Sequence, residues 1–212
     1  MLWTVIDGTL ERNVLSFDWK HFRVWSVIGR IGLAWGAAAL LYLFCRPRTR
    51  YAACAAILLG MWAVLRFAVA PGAPEGVNPL VDTRYLWVNW VDVNFLTTAH
   101  RGEGGAVTVT MVATAMLGAF AGEILMRKDL SPAGRIGRLF AAFAGLTAAG
   151  LLMAFAFGDY SVPVHKGLWS PSFVLVAGGI SMALLATVYW IVDVRGWRRW
   201  GFFFKVIGMN AI

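Results

Sequence analysis

The chain has 212 residues, of which 59% are hydrophobic and 14% are charged, against about 45–50% and about 25% in a soluble globular domain. The apolar residues fall in blocks of about 20, long enough to cross a hydrocarbon layer as helix. A soluble domain is thereby excluded and an all-α, polytopic transmembrane helical bundle is predicted. The formal net charge of +8 raises nucleic acid as a partner, but the basic residues flank the apolar blocks. There they set topology and meet anionic lipid headgroups, so membrane lipid is the expected partner and nucleic acid is not.

Residues 1–23 form an expected outer or interfacial segment. Its start, MLWTVIDGTLERN, lacks the basic n-region and apolar h-region of a cleavable signal, and LSFDWKHFRVW has the aromatics of a stretch lying among headgroups. The transmembrane domain is expected over 24–212. Its first span is predicted at 24–45 and is followed by RPRTR; the second, at 51–70, is stopped by Pro71 and Gly72. A long loop, 71–105, precedes the third span at 106–126. RKDLSPAGRIGR leads to the fourth at 136–157, and the loop holding PVHKGLWSPSFV leads to the fifth at 172–192. DVRGWRRW then leads to the start of a sixth span, 201–212. An exported segment without a preceding span, together with a span cut off at its start, suggests a fragment of a larger membrane protein.

The basic connections carry Arg46, Arg48, Arg50, Arg127, Lys128, Arg135, Arg138, Arg195, Arg198 and Arg199, whereas the opposite side carries Arg12, Lys20, Arg23, Arg84, Arg101 and Lys166. Ten against six places the former in the cytoplasm. The loops 71–105 and 158–171 then lie outside, and a multi-pass protein of the cell inner (plasma) membrane is expected.

Arg30 lies about six residues inside the first span and Arg66 about four inside the second, both toward the outer face. Charges at membrane depth are functional candidates. They suit a shared anion site, an ion pair with Asp82 or Asp92, or snorkelling toward the interface. Glu123 precedes Arg127 by one helical turn, a favourable structural pair. Tyr85, Trp87, Trp90 and Phe95 suit an interfacial belt and equally a platform for a sugar ring. Gly29, Gly32 and Gly36, the GAFAG of Gly118 and Gly122, and Gly178 and Gly179 predict close helix contacts. Cys45 and Cys54 flank one basic connection. They carry no metal or disulfide spacing and are expected to be small lipid-facing or interfacial residues. No GxSxG elbow, HExxH helix or Walker loop occurs, and no metal is expected.

PVHKGLWSPSFV, followed by DVRGW and GMNAI, resembles the heparan-alpha-glucosaminide N-acetyltransferase family. That family carries Pro-Ile-Asn-Lys-x-Leu-Trp-Ser/Thr-x-Ser-Tyr/Phe-Val before a helix. Pro163, Lys166, Leu168, Trp169, Ser170, Ser172, Phe173 and Val174 fit, as do Asp193, Val194, Gly196, Gly208, Met209, Asn210, Ala211 and Ile212. SVIGRIGLAW, with Arg30, and MVATAMLGAFAGE look like two further helices of the family. The matches run in order over nearly the whole chain. The resemblance implies an integral membrane acyltransferase that takes acetyl from cytoplasmic acetyl-CoA and delivers it to a terminal glucosamine amine on the outer or lumenal side. A transporter or permease bundle without catalysis is the alternative.

The resemblance implies an essential histidine in the family's N-terminal third, which is expected to lie outside this sequence; none of His21, His100 and His165 stands in its context, so the catalytic residue is unassigned. The motif's asparagine is His165, and a helix-breaking proline of the third span is Thr110. On this reading His165, Lys166, Trp169, Ser170, Arg30, Arg66 and Asn210 are candidates for holding the acceptor. Arg195, Arg198 and Arg199 are candidates for the phosphates of acetyl-CoA. The partners expected are lipid and an amino sugar, with a homodimer left open.

Overall fold

A computed structural model describes residues 26–96, 105–197, 201 and 209. The segment 1–23 and nearly all of the sixth-span start fall outside these. The protein is all-α. Among the described residues five helices are long and apolar enough to cross a membrane: α1 (Val27–Phe44), α2 (Pro47–Phe67), α4 (Thr108–Met126), α5 (Pro132–Phe155) and α6 (Pro171–Tyr189), the last running on through a π-helical turn at Trp190–Val194. α3 (Trp87–Asn94) is a short helix between α2 and α4.

Helix starts follow local chemistry. Ser26 caps α1, its Oγ accepting the Gly29 N–H at 3.2 Å, and Ser131 caps α5 through the Gly134 N–H at 3.1 Å. Proline stands in the first turn of α2 and of α5, where its missing N–H costs nothing. Both helices therefore begin four residues before the positions expected from hydropathy, and Arg48 and Arg50 lie inside a helix rather than in a connection.

Arg50 and Arg135 close helix ends. The Arg50 Nε donates to the Cys45 carbonyl at 2.8 Å, with its guanidinium 3.9 Å over the Tyr42 ring. Arg135 donates from Nε and Nη2 to the Arg127 carbonyl just past α4, at 3.1 and 2.8 Å, and from Nη1 to the Tyr189 hydroxyl at 3.0 Å. A cation at a helix C-terminus satisfies orphan carbonyls and opposes the negative end of the dipole. Arg127 itself pairs with Asp129 at 2.8 Å.

The chain divides into two compact units, Met1–Met116 with His165–Pro171, and Leu117–Val164 with Ser172–Ile212. In the first, Arg30, Ala34 and Ala38 are the buried positions of α1, and Cys54, Leu58, Met61 and Leu65 those of α2. Both series keep the three- or four-residue spacing of a single helix face. Cys54 is buried, with Sγ 3.9 Å from the Ala113 carbonyl. This corrects the expectation of a lipid-facing or interfacial thiol.

The described part of the loop after α2 is tied back by its own backbone. The Ala70 N–H donates to the Tyr85 carbonyl at 2.9 Å, beside an isolated bridge between Val69 and Leu86. α3 follows, burying Val88 and Asp92 one turn apart while Trp87, Val93 and Phe95 stay exposed.

In the second unit glycine sets the helix spacing. A Cβ on Gly150 would stand 3.0 Å from the Ser172 carbonyl and 2.8 Å from Val176 Cγ2, and one on Gly178 would stand 2.8 Å from Leu117 Cδ1. One on Gly179 would stand 3.0 Å from the Phe143 carbonyl and press on Thr147 Oγ1. By contrast, nothing among the described residues comes within 4 Å of such an atom at Gly32, Gly36, Gly118 or Gly122. The close contacts predicted there from small-residue spacing are not made within the described chain.

Candidate functional site

In the first unit a cavity of about 620 Å³ opens beside the N-terminal half of α1. Its walls are Val27, Arg30, Ile31, Ala34 and Trp35 from α1, Met111, Thr114 and Ala115 from α4, and Lys166, Gly167 and Trp169 from the loop that precedes α6. The size suits a small-molecule site, and the lining is mostly apolar with a few convergent polar groups. Arg30 is buried, Lys166 exposed and Trp169 half-buried.

The indole of Trp169 is held at both ends. Its backbone stands at φ +45°, the only described non-glycine residue with positive φ, a conformation that costs a bulky side chain about 1–3 kcal/mol. At the other end Nε1 donates to Thr114 Oγ1 at 3.1 Å, and that hydroxyl in turn donates to the Thr110 carbonyl at 3.4 Å. Thr110 lies in the first turn of α4, fully buried, with its own hydroxyl bonded to the Val107 carbonyl at 2.8 Å. Replacing Trp169 with Phe should therefore keep the wall but cost about 1 kcal/mol. In a double-mutant cycle with Thr114→Val, read by unfolding in mixed micelles, the two losses should be non-additive.

Arg30 lines the cavity, and its charge reaches the buried Asp92, which does not line it. Asp92 is buried, and its Oδ1 accepts the Ala106 N–H at 2.8 Å, just ahead of α4. A carboxylate there meets the positive end of the helix dipole. Burial raises the Asp92 pKa above the ordinary range, while the N–H groups of Ala106 and Gly105 and the charge of Arg30 pull it down. Arg30 sits in the first turn of α1 and Arg66 in the last turn of α2, so both lie nearer helix ends than hydropathy suggested. Arg66 has a favourable helix dipole in that place; Arg30, at the positive end of its helix, does not. The other candidate acid, Asp82, is engaged by Arg84 through Nε at 2.9 Å and Nη2 at 2.7 Å. That pair holds the exposed Asp82 carboxyl below its usual range.

The candidate residues are thus divided. Arg30, Lys166 and Trp169 meet around the cavity. Arg66, His165 and Ser170 do not line it; Ser170 is fully buried within the loop. Arg195 is exposed, its guanidinium 4.7 Å over the Trp190 ring. Asn210, Arg198, Arg199, His21 and His100 lie outside the described residues. The sequence reading missed Thr114 and Trp35. The hydroxyls of TVTMVATAM at positions 110 and 114, one helical turn apart in an apolar helix, were the available signal for the first. No metal-binding cluster of His, Cys, Asp or Glu occurs among the described residues.

No family model matches the chain. It is 25% identical to heparan-alpha-glucosaminide N-acetyltransferase of Homo sapiens over an alignment of 245 residues, covering 92% of this chain and 36% of that protein. It is 35% identical to the Mus musculus protein of the same name over 119 residues, covering 54% of this chain and 17% of that protein. The chain thus spans about a third of the human relative's length. The resemblance first carried by separate motifs extends over most of the sequence, and this multi-pass membrane protein is similar to the heparan-alpha-glucosaminide N-acetyltransferases.

Proposed function

We propose that the chain is part of an integral membrane N-acetyltransferase that takes acetyl from cytoplasmic acetyl-CoA and places it on the amine of an amino sugar, such as a terminal glucosamine, on the opposite side of the membrane. The observation that carries this reading is the similarity to the named N-acetyltransferases over 92% of the chain. The cavity supports it. An indole fixed at both ends offers a face to the apolar side of a sugar ring, and Lys166 and Arg30 offer donors to hydroxyls or a carboxylate.

In the overall reaction the lone pair of a neutral amine attacks the acetyl carbonyl carbon. A C–N bond forms, the thioester C–S bond breaks, and the proton lost from nitrogen balances the thiol of released CoA. Cationic contacts for the CoA phosphates fall to Arg195, Arg198 and Arg199, on the side with the excess of basic residues. Donors facing the developing oxyanion would supply the stabilisation such a step requires.

The test uses membranes carrying the protein, labelled acetyl-CoA on the cytoplasmic face and a panel of amino sugars on the other. The expected result is protein-dependent N-acetylated sugar, reduced on replacing Lys166 or Trp169. Absence of any acetylated amine across the panel would overturn the proposal.

A further inference from the structure

The loop His165–Pro171 is organised by hydrogen bonds that converge on two side chains. The His165 N–H donates to Ser170 Oγ at 3.0 Å, and the Ser170 N–H returns to the His165 carbonyl at 3.2 Å. Between them the Leu168 N–H donates to the imidazole Nδ1 of His165 at 3.1 Å, and the Trp169 N–H donates to the Lys166 carbonyl at 3.0 Å. A ring nitrogen that accepts carries a lone pair, so the bond partner assigns the imidazole proton to Nε2. The acceptor on His165 therefore secures the Gly167–Leu168 peptide, and the Lys166 carbonyl the next one, so that Leu168 is fixed on both sides of its Cα directly before Trp169, the residue at φ +45°.

We propose that His165 is a positioning residue: by accepting the Leu168 N–H, its Nδ1 holds the left-handed backbone at Trp169 and so aims the indole into the cavity. It acts through Trp169 rather than as a base or a ligand, in keeping with its place outside the cavity lining. Asparagine has the means for the same task, since its Oδ1, like the imidazole Nδ1, lies one bond beyond Cγ and accepts local backbone N–H groups readily. The asparagine of the motif quoted above and His165 thus offer one acceptor in one place. Alanine offers none, and the glutamine oxygen lies one bond further out.

The effect on activity rests on the cavity being the acceptor site, as proposed above; the effect on Trp169 does not. The experiment uses the protein in nanodiscs, labelled with 5-fluorotryptophan, with Trp169→Phe assigning the Trp169 fluorine resonance. His165→Asn is expected to leave that resonance in place. His165→Ala is expected to displace or broaden it. His165→Gln serves as the second perturbation should the alanine variant fail to accumulate. In the acetylation assay the alanine or glutamine variant should raise KM for the amino sugar roughly fivefold, the factor carried by one net hydrogen bond, with kcat little changed and asparagine restoring KM. An unshifted resonance in the alanine or glutamine variant, or a shift in the asparagine variant matching that of alanine, would overturn the inference. Should the wild-type protein acetylate nothing, the fluorine spectra still decide it.

Discussion

Replacing Arg30 with Met is expected to destabilise the protein by about 1–3 kcal/mol, because it removes a buried donor group whose positive charge reaches the buried Asp92 carboxyl. Arg30 is 5% exposed and Asp92 2%, so neither charge is relieved by water. The loss is limited because the Ala106 and Gly105 N–H groups still face the carboxylate. The double variant Arg30→Met with Asp92→Asn should recover most of the loss, because the amide oxygen still accepts from Ala106 while the stranded charge is gone. Unfolding in mixed micelles reads both, and a double variant no more stable than Arg30→Met alone would refute the electrostatic link between the two residues.

The same pair predicts a pH dependence. Because burial holds the native Asp92 pKa above its ordinary value, the folded state binds this proton more tightly than the unfolded chain. The stability it confers is complete below the unfolded carboxylate pKa and is lost as pH rises through the native one. Removing Arg30 removes an influence that lowers the native pKa. Arg30→Met should therefore lose stability over a wider pH interval, reaching higher, and Asp92→Asn should abolish that slope.

The second large effect belongs to the other unit. Gly179→Ala puts a methyl 3.0 Å from the Phe143 carbonyl and against the Thr147 hydroxyl. Backbone on the facing helix cannot yield as a side-chain tip can, so an overpacking cost of about 1–3 kcal/mol is expected. Gly36→Ala is the control. No described atom stands within 4 Å of the new methyl, and alanine is the better helix former by about 1 kcal/mol, so this variant should be neutral or more stable. Equal unfolding curves for the two variants would show that α5 and α6 do not meet as described.

The five spans were legible because lipid and burial ask for the same thing: an apolar run of fixed length whose backbone bonds close within the helix. The starts of α2 and α5 were misplaced by hydropathy yet were written in Pro47 and in Ser131-Pro132, which act locally. α3 was overlooked because WVNWVDVN is too short for a periodicity to stand out, although Val88 and Asp92 already had the spacing of one helix face. The glycines show the limit of the pattern. Spacing by four occurs at Gly32 and Gly36 and at Gly118 and Gly122, where no contact is made among the described residues, whereas adjacent Gly178 and Gly179 are in contact. A small residue permits close approach, but only the facing helix makes it.

The cavity follows the same division. The sequence alone marked Arg30, Lys166 and Trp169 as residues out of place in an apolar chain, and its ordered motifs pointed to the N-acetyltransferases. That the three share one cavity, that Asp92 rather than Asp82 lies in the field of Arg30, and that His165 turns its ring nitrogen to the Leu168 N–H were decided by tertiary structure. The first two depend on distances between groups far apart in the chain, up to 139 positions as between Arg30 and Trp169. Composition and spacing specify what a segment is able to do; which partner it meets is set by how the helices pack.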